Sequence, residues 1–148
     1  MKKALIIIGI LLIAIISYLC WYYTSSADKE IHLLSKGFTG IVIIRFNAEN
    51  GKEEKYENGS RVYEIPASGI LNTKFKPNEG WSDSPQYFYI VGDKKEPLTK
   101  KVYSPDIGVA TSDITNKNVT FVSYIVSDEQ HVDSLYTVRE KMNIADLK

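Results

Sequence analysis

The sequence predicts a mainly β protein: an antiparallel β-sandwich or small barrel, preceded by one N-terminal transmembrane helix and followed by a short C-terminal helix. Three observations carry this reading. An uncharged run occupies Ala4 to Tyr23. Behind it, seven or eight short apolar segments recur at roughly ten-residue spacing with turn residues between them. Near the end, Val132, Leu135, Tyr136 and Arg139 fall at i, i+3, i+4 and i+7, the helical period. Strands do not alternate with helices, so a doubly wound parallel sheet is not expected.

Lys2 and Lys3 open the chain. At 1.5 Å per residue, a helix over residues 4–23 covers ~30 Å, the thickness of a bilayer's hydrocarbon. Lipid offers no water to the backbone, so even the β-branched isoleucines are held in a helix there. Trp21, Tyr22 and Tyr23 end the run with rings of the kind that settle among headgroups. The lysines precede the run and Asp28, Lys29 and Glu30 follow it, which keeps the N-terminus in the cytoplasm. Residues 1–27 thus read as a membrane anchor and residues 28–148 as an extracytoplasmic domain. Ser25 and Ala27 also suit a signal-peptidase site before Asp28, which would release a secreted protein. Secretory apolar regions run ~7–15 residues, shorter than this one, so the uncleaved anchor is the first reading. A third form, lipid-anchored at Cys20, is opposed by Tyr18 and Leu19, where small residues are wanted. Cys20 then reads as a small apolar residue of a membrane helix.

Composition removes several function classes. The 148 residues carry 18 basic and 18 acidic side chains, without the basic stripe a nucleic-acid binder needs. A single cysteine excludes a disulfide framework and any multi-cysteine zinc site. Without Lys2 and Lys3 the remainder is mildly acidic, so no polybasic patch is offered to lipid headgroups. What is left is long enough for one modest core.

Along that domain, Glu30 to Leu34 is a short strand ended by Ser35-Lys36-Gly37. Ile41 to Phe46 is nearly continuous and apolar, as a strand buried on both faces would be. Asn50-Gly51 and Asn58-Gly59 mark turns, with the charged Lys52 to Lys55 between them at the surface. Arg61 to Ile65 alternates, and Pro66-Ala67-Ser68-Gly69 turns the chain into Ile70 to Phe75. Pro66 donates no ladder bond and belongs at a strand end. A polar loop from Pro77 to Pro85 carries Trp81 and Asp83. Gln86 to Val91 is the most aromatic strand, followed by a Gly92-Asp93 turn. Short strands follow at Lys101 to Tyr103 and Gly108 to Ser112, then a strong one at Val119 to Ser127. Glu129 to Met142 reads as a helix with Asp128 as its N-cap.

The stretch Ile31 to Ile44, with Gly37-Phe38-Thr39-Gly40 at its centre, resembles the opening of a bacterial domain family of unknown function. Tyr63 to Thr73 looks like that family's second block and Tyr87 to Val91 like its aromatic third strand. The likeness covers about residues 30–98; Ser35 stands where the family usually has proline. The resemblance implies an extracytoplasmic β domain in a small secreted, lipid-anchored or membrane-tethered protein, and no known activity. From the residues themselves, Gly37, Gly40, Pro66 and Gly69 read as structural turn positions.

The chemistry on offer is sparse. Only His32 and His131 could serve as imidazole bases. His32 sits among apolar strand residues and reads as a satisfied structural histidine. His131 lies beside Asp128, Glu129 and Asp133 at a helix start, which a solvated surface explains equally well. Asp83, Asp93, Asp106, Asp113 and Asp128 are scattered over loops without calcium-loop spacing. No catalytic, cofactor-binding or metal-ligating set is assigned. Trp81, Tyr87 and Tyr89 are the candidate interaction surface, since alternate strand residues share a face; the competing reading buries the tyrosines between sheets. The expectation is a single-pass membrane protein held by residues 4–23 and displaying a binding domain to an envelope protein or cell-surface partner, with no nucleic acid and no cofactor. The alternatives are a small envelope hydrolase using loop carboxylates or His131, and an accessory subunit of a membrane complex.

Overall fold

The computed structural model describes residues 2–24 and 26–147, with side chains of the first helix described from Ile7 to Tyr22. That helix, α1, spans Lys2–Thr24. Strands β1 (Lys29–Ser35), β2 (Gly40–Arg45), β3 (Tyr56–Glu57), β4 (Ser60–Glu64) and β5 (Ile70–Asn72) follow. Then come β6 (Gln86–Val91), β7 (Lys94–Pro97), β8 (Lys101–Thr111), β9 (Asn118–Ser127), helix α2 (Val132–Glu140) and one 3-10 turn at Ile144–Asp146. The chain divides into two units: the residues up to Asp28 with Asn78–Asp83, and the body formed by Lys29–Pro77 with Ser84 onward.

The body is a sandwich of two sheets, ordered β3-β4-β1-β6-β7 and β5-β2-β9-β8. It is mainly β with a short C-terminal helix, but its sheets are mixed rather than antiparallel. β1 runs parallel to β4 and to β6, and β2 parallel to β5. The turns are the cause. A tight turn usually returns the chain to a neighbour in the same sheet. Here residues 36–39 carry it from β1 in one sheet to β2 in the other, and residues 65–69 carry it likewise from β4 to β5. Two corner units stacked in the same sense make their strands parallel. The stacking is tightest at Gly69, whose φ is +79° and whose carbonyl accepts the Ile43 N–H at 2.9 Å. A Cβ on Gly69 would lie 2.2 Å from the Ile41 carbonyl oxygen, so no other residue fits. Gly37 and Gly40 supply the left-handed backbone of the first corner, at φ +73° and +149°.

The core fills the space between the sheets. Leu34, Tyr63, Ile65 and Tyr89 face Val42, Ile44, Leu71, Tyr124 and Val126, with Phe46 and Phe75 beyond the strand ends. The second sheet is also covered on its other face, as the continuous run over residues 41–46 anticipates. Ile43, Ser123 and Ile125 are buried there, and α2 packs on β9 and β2. Val132, Leu135, Tyr136 and Arg139 form the half-buried face of α2. Its N-cap is His131, not Asp128, whose carboxylate instead takes the Lys100 ammonium at 2.9 Å.

Where two short strands were expected after Lys100, β8 is one long strand interrupted by a bulge between Tyr103 and Asp106. Ser104 takes a positive φ of +42° there, before Pro105. The bend serves the helix: the Ser104 carbonyl accepts Arg139 Nη1 at 3.0 Å, and the Ser104 and Tyr136 hydroxyls are hydrogen-bonded. β3 and β7 were not anticipated. Both are short edge strands, and β7 reads Lys-Lys-Glu-Pro and is exposed throughout.

In the other unit, the side chains described for α1 are exposed on every side except at half-buried Gly9. Among the described residues no helix is long and apolar enough to cross a membrane, so the spanning helix expected over residues 4–23 is not established. Those described side chains stop short of both ends of the apolar run, and Ser25 of the cleavage reading lies outside the described residues. Residues 78–83 are tied to the chain leaving α1. Ser26 and Trp81 form a β-bridge, and the Ala27 N–H donates to the Trp81 carbonyl at 2.9 Å. Asn78 clamps Asp28 from both sides: its Oδ1 accepts the Asp28 N–H at 3.0 Å, and its Nδ2 donates to the Asp28 carbonyl at 2.8 Å.

Candidate functional site

Alternation along β1 sorts its residues between two very different faces. His32 and Leu34 point into the sandwich, and Leu33 points away. The neighbours in register follow: His32 pairs with Tyr63 on β4 and with Tyr87 on β6.

His32 is 1% exposed. Three tyrosine rings enclose it, with centroids at 5.0 Å (Tyr63), 5.1 Å (Tyr87) and 5.4 Å (Tyr124). Its Nδ1 lies 2.9 Å from the Tyr124 hydroxyl and its Nε2 3.3 Å from Glu30 Oε2. A carboxylate only accepts, so Nε2–H donates to Glu30, while Nδ1 is hydrogen-bonded to the Tyr124 hydroxyl. The Tyr63 hydroxyl donates to the other Glu30 oxygen at 3.4 Å. Both ring nitrogens are therefore satisfied internally. Burial pushes the Tyr87 phenol up to about 12, with Glu30 adding to it. Burial and then Glu30 also raise Tyr63, and burial, Tyr87 and Glu30 raise Tyr124. These phenols are held in their neutral form. The order Glu–His–Tyr has the form of an activated hydroxyl, yet Tyr124 is fully buried and offers no attacking atom to a substrate.

The opposite face of the same sheet is open and concave. Lys95 on β7 reaches Glu57 on β3 at 2.5 Å, although three strands separate them in the sheet order. A flat sheet would hold those edges ~19 Å apart. The sheet is curled until its edges face each other, and Leu33 at the centre becomes 6% exposed. The resulting groove, about 530 Å³, has Leu33 and Ile90 in its floor and Lys36, Lys55, Glu57, Glu64, Asp93 and Lys95 around it. The Lys55 ammonium bonds the Glu64 carboxylate and holds it below the usual carboxylate range.

A third cluster ties down the C-terminus. Arg45 Nε donates to Asn72 Oδ1 at 2.6 Å, and its Nη1 donates to the carbonyls of Ala145 (3.2 Å) and Ile144 (3.4 Å). Asp146 accepts from the Ser112 hydroxyl at 2.6 Å and the Asp113 N–H at 2.8 Å. The Ser112 bond first, helped by the Asp113 N–H, Asn143 and Arg45, holds the Asp146 carboxyl below its ordinary value. The last residues thus dock on the body. Nothing in the sequence signals this pairing, because these partners of residues 144–146 lie 33 to 100 positions away.

The proposed aromatic surface is not assembled as such. Tyr89 is buried in the core with its hydroxyl toward the Phe38 carbonyl, at 3.5 Å, and Tyr87 packs around His32. Of the three, only Trp81 presents an exposed ring, at 65%. His131 is exposed at the start of α2. The loop aspartates are not gathered into one site, and among the described residues no group of three His, Cys, Asp or Glu could hold a metal ion.

Fold and site together define a mixed β-sandwich with a closed polar cluster inside one sheet and an open groove on its back. Residues 26–135 match the model of the Family of unknown function (DUF6843). The chain belongs to that family, and the match runs well past the stretch legible from motifs. The crystal structure of a "Putative Lipoprotein from Bacillus anthracis" has the same fold, with a TM-score of 0.57 at 15% identity. That likeness covers 70% of this chain and 75% of the other. No curated protein matches.

Proposed function

We propose that this protein is a non-catalytic module that displays a β-sandwich outside the cytoplasmic membrane, tethered by the helix over residues 4–23. The carrying observation is the surface of α1, where Leu11, Ile13 and Ile16 on different sides are all more than half exposed. A helix apolar all round needs lipid or protein cover. The run from Ala4 to Tyr23 has the length of a span, and Lys2 and Lys3 favour a cytoplasmic N-terminus. The body then faces outward, and its groove of Leu33, Ile90 and mixed charges is the surface left for an envelope partner. The internal satisfaction of His32 supports a role without catalysis.

A second reading takes its support from the lipoprotein name of the structural neighbour. In it, the chain is cut before Cys20 and held by lipid. Tyr18 and Leu19 argue against that cut.

Intact mass of the protein recovered from alkaline-washed membranes tests the proposal. A full-length mass in the pellet is expected. A mass beginning at Asp28 in the soluble fraction would overturn it, and a lipid-bearing mass beginning at Cys20 would replace the helix by a lipid anchor.

A further inference from the structure

We propose that the loop over residues 78–83 is a second membrane contact, in which Trp81 enters the headgroup layer beside the aromatic end of α1. This rests on the membrane reading of α1 and adds a surface that the sequence assigned to partner binding.

Three observations lead there. Trp81 is 65% exposed although it is the largest side chain of its loop. The ring is not exposed through slackness of the backbone, since the Ser26–Trp81 bridge and the Asn78 clamp on Asp28 fix the loop against the chain just past α1. And Trp81 shares one cleft with Tyr18, Trp21 and Tyr22, together with Glu79 and Gly80. The helix therefore carries its aromatic end at the level of this loop. Tryptophan gains from that layer because its ring is apolar while its indole N–H still finds a polar partner. Glu79 and Asp83 flank the ring in the sequence, so the attraction is aromatic rather than electrostatic, and uncharged phosphatidylcholine is the lipid to use.

The chain has two tryptophans, so each can be watched alone. Full-length protein with Trp21→Phe reports Trp81, and full-length protein with Trp81→Phe reports Trp21. Both are reconstituted into phosphatidylcholine vesicles brominated near the headgroup end of the acyl chains, and tryptophan quenching is read against unbrominated vesicles. The two variants are expected to quench within about twofold of each other, because the rings lie at one depth. Quenching of Trp21 with none of Trp81, whose emission stays that of a ring in water, would overturn the loop contact and leave the anchor standing. Quenching of neither would overturn the anchor and the loop contact with it. The Trp81 side chain is exposed, so Trp81→Phe is not expected to disturb folding; an unchanged circular-dichroism spectrum checks this.

Discussion

The two faces of the five-stranded sheet share the same strands and have opposite fates. Inward, β1, β4 and β6 present His32, Tyr63, Tyr87 and Tyr89; the Tyr63 and Tyr87 rings close on His32, and the polar atoms of His32 and Tyr63 pair internally. Outward, the same strands present Leu33 and Ile90 to a groove open to solvent, crossed by the Lys95–Glu57 ion pair. The chemically rich side is the structural one and the chemically plain side is the accessible one. Both ring nitrogens of His32 have hydrogen-bond partners within the protein, and phenol rings wall it on three sides. The accessible surface there is a rim of mixed charge around a floor of half-buried Ile90 and buried Leu33.

Substitutions can break this contrast, and the largest effect belongs inside. Tyr124→Ala removes a fully buried ring and leaves His32 Nδ1 without its hydrogen-bond partner. It should cost about 4 kcal/mol of unfolding free energy, read by urea titration. Alkali should act on the same face. Folding raises Tyr87 from 10.0 to about 12, so its stabilising contribution is complete below pH 10 and is lost as pH climbs toward 12. Tyr63 and Tyr124 shift in the same direction. The tyrosinate absorbance of these three phenols, as distinct from that of exposed Tyr18, Tyr22 and Tyr56, should therefore rise together with the loss of far-ultraviolet dichroism.

On the outer face, Leu33→Ala should cost about 2 kcal/mol, because water can enter the open groove and relieve part of the cavity. Tyr124→Phe keeps the ring and removes one hydrogen bond, at about 1 kcal/mol. Lys95→Ala should change stability by about 0.5 kcal/mol or less, since the pair with Glu57 is half in water. An outer-face loss as large as that of Tyr124→Ala would erase the distinction between the faces.

The strands were legible where period and turn chemistry agree. Residues 86–91, 118–127 and the α2 face over 132–139 follow patterns that burial dictates locally. The mixed sheet was not legible. Gly37, Gly40 and Gly69 announce tight turns, but whether a turn stays in a sheet or crosses to another depends on what stacks against it, here Gly69 on Ile41. The edge strands β3 and β7 were hidden because their residues are polar and face solvent. His32 was readable as structural from its apolar neighbours. Its partners were not, since Tyr124 lies 92 positions away. That Tyr87 and Tyr89 share a face was legible from alternation, and of the two readings of that face the one that buries it between the sheets describes Tyr89.

Thermal unfolding of the full chain in detergent, comparing His32→Ala with His131→Ala, tests most directly whether the inner face is structural. The His32 variant removes the hydrogen-bond partner of the buried Tyr124 hydroxyl and one of those of Glu30, and should unfold about 10 °C lower, for a loss of about 3 kcal/mol. The His131 variant, altered at an exposed helix start, should unfold with the unaltered chain. A His32→Ala protein that kept the original midpoint would contradict the structural role and return that histidine to the list of reactive groups.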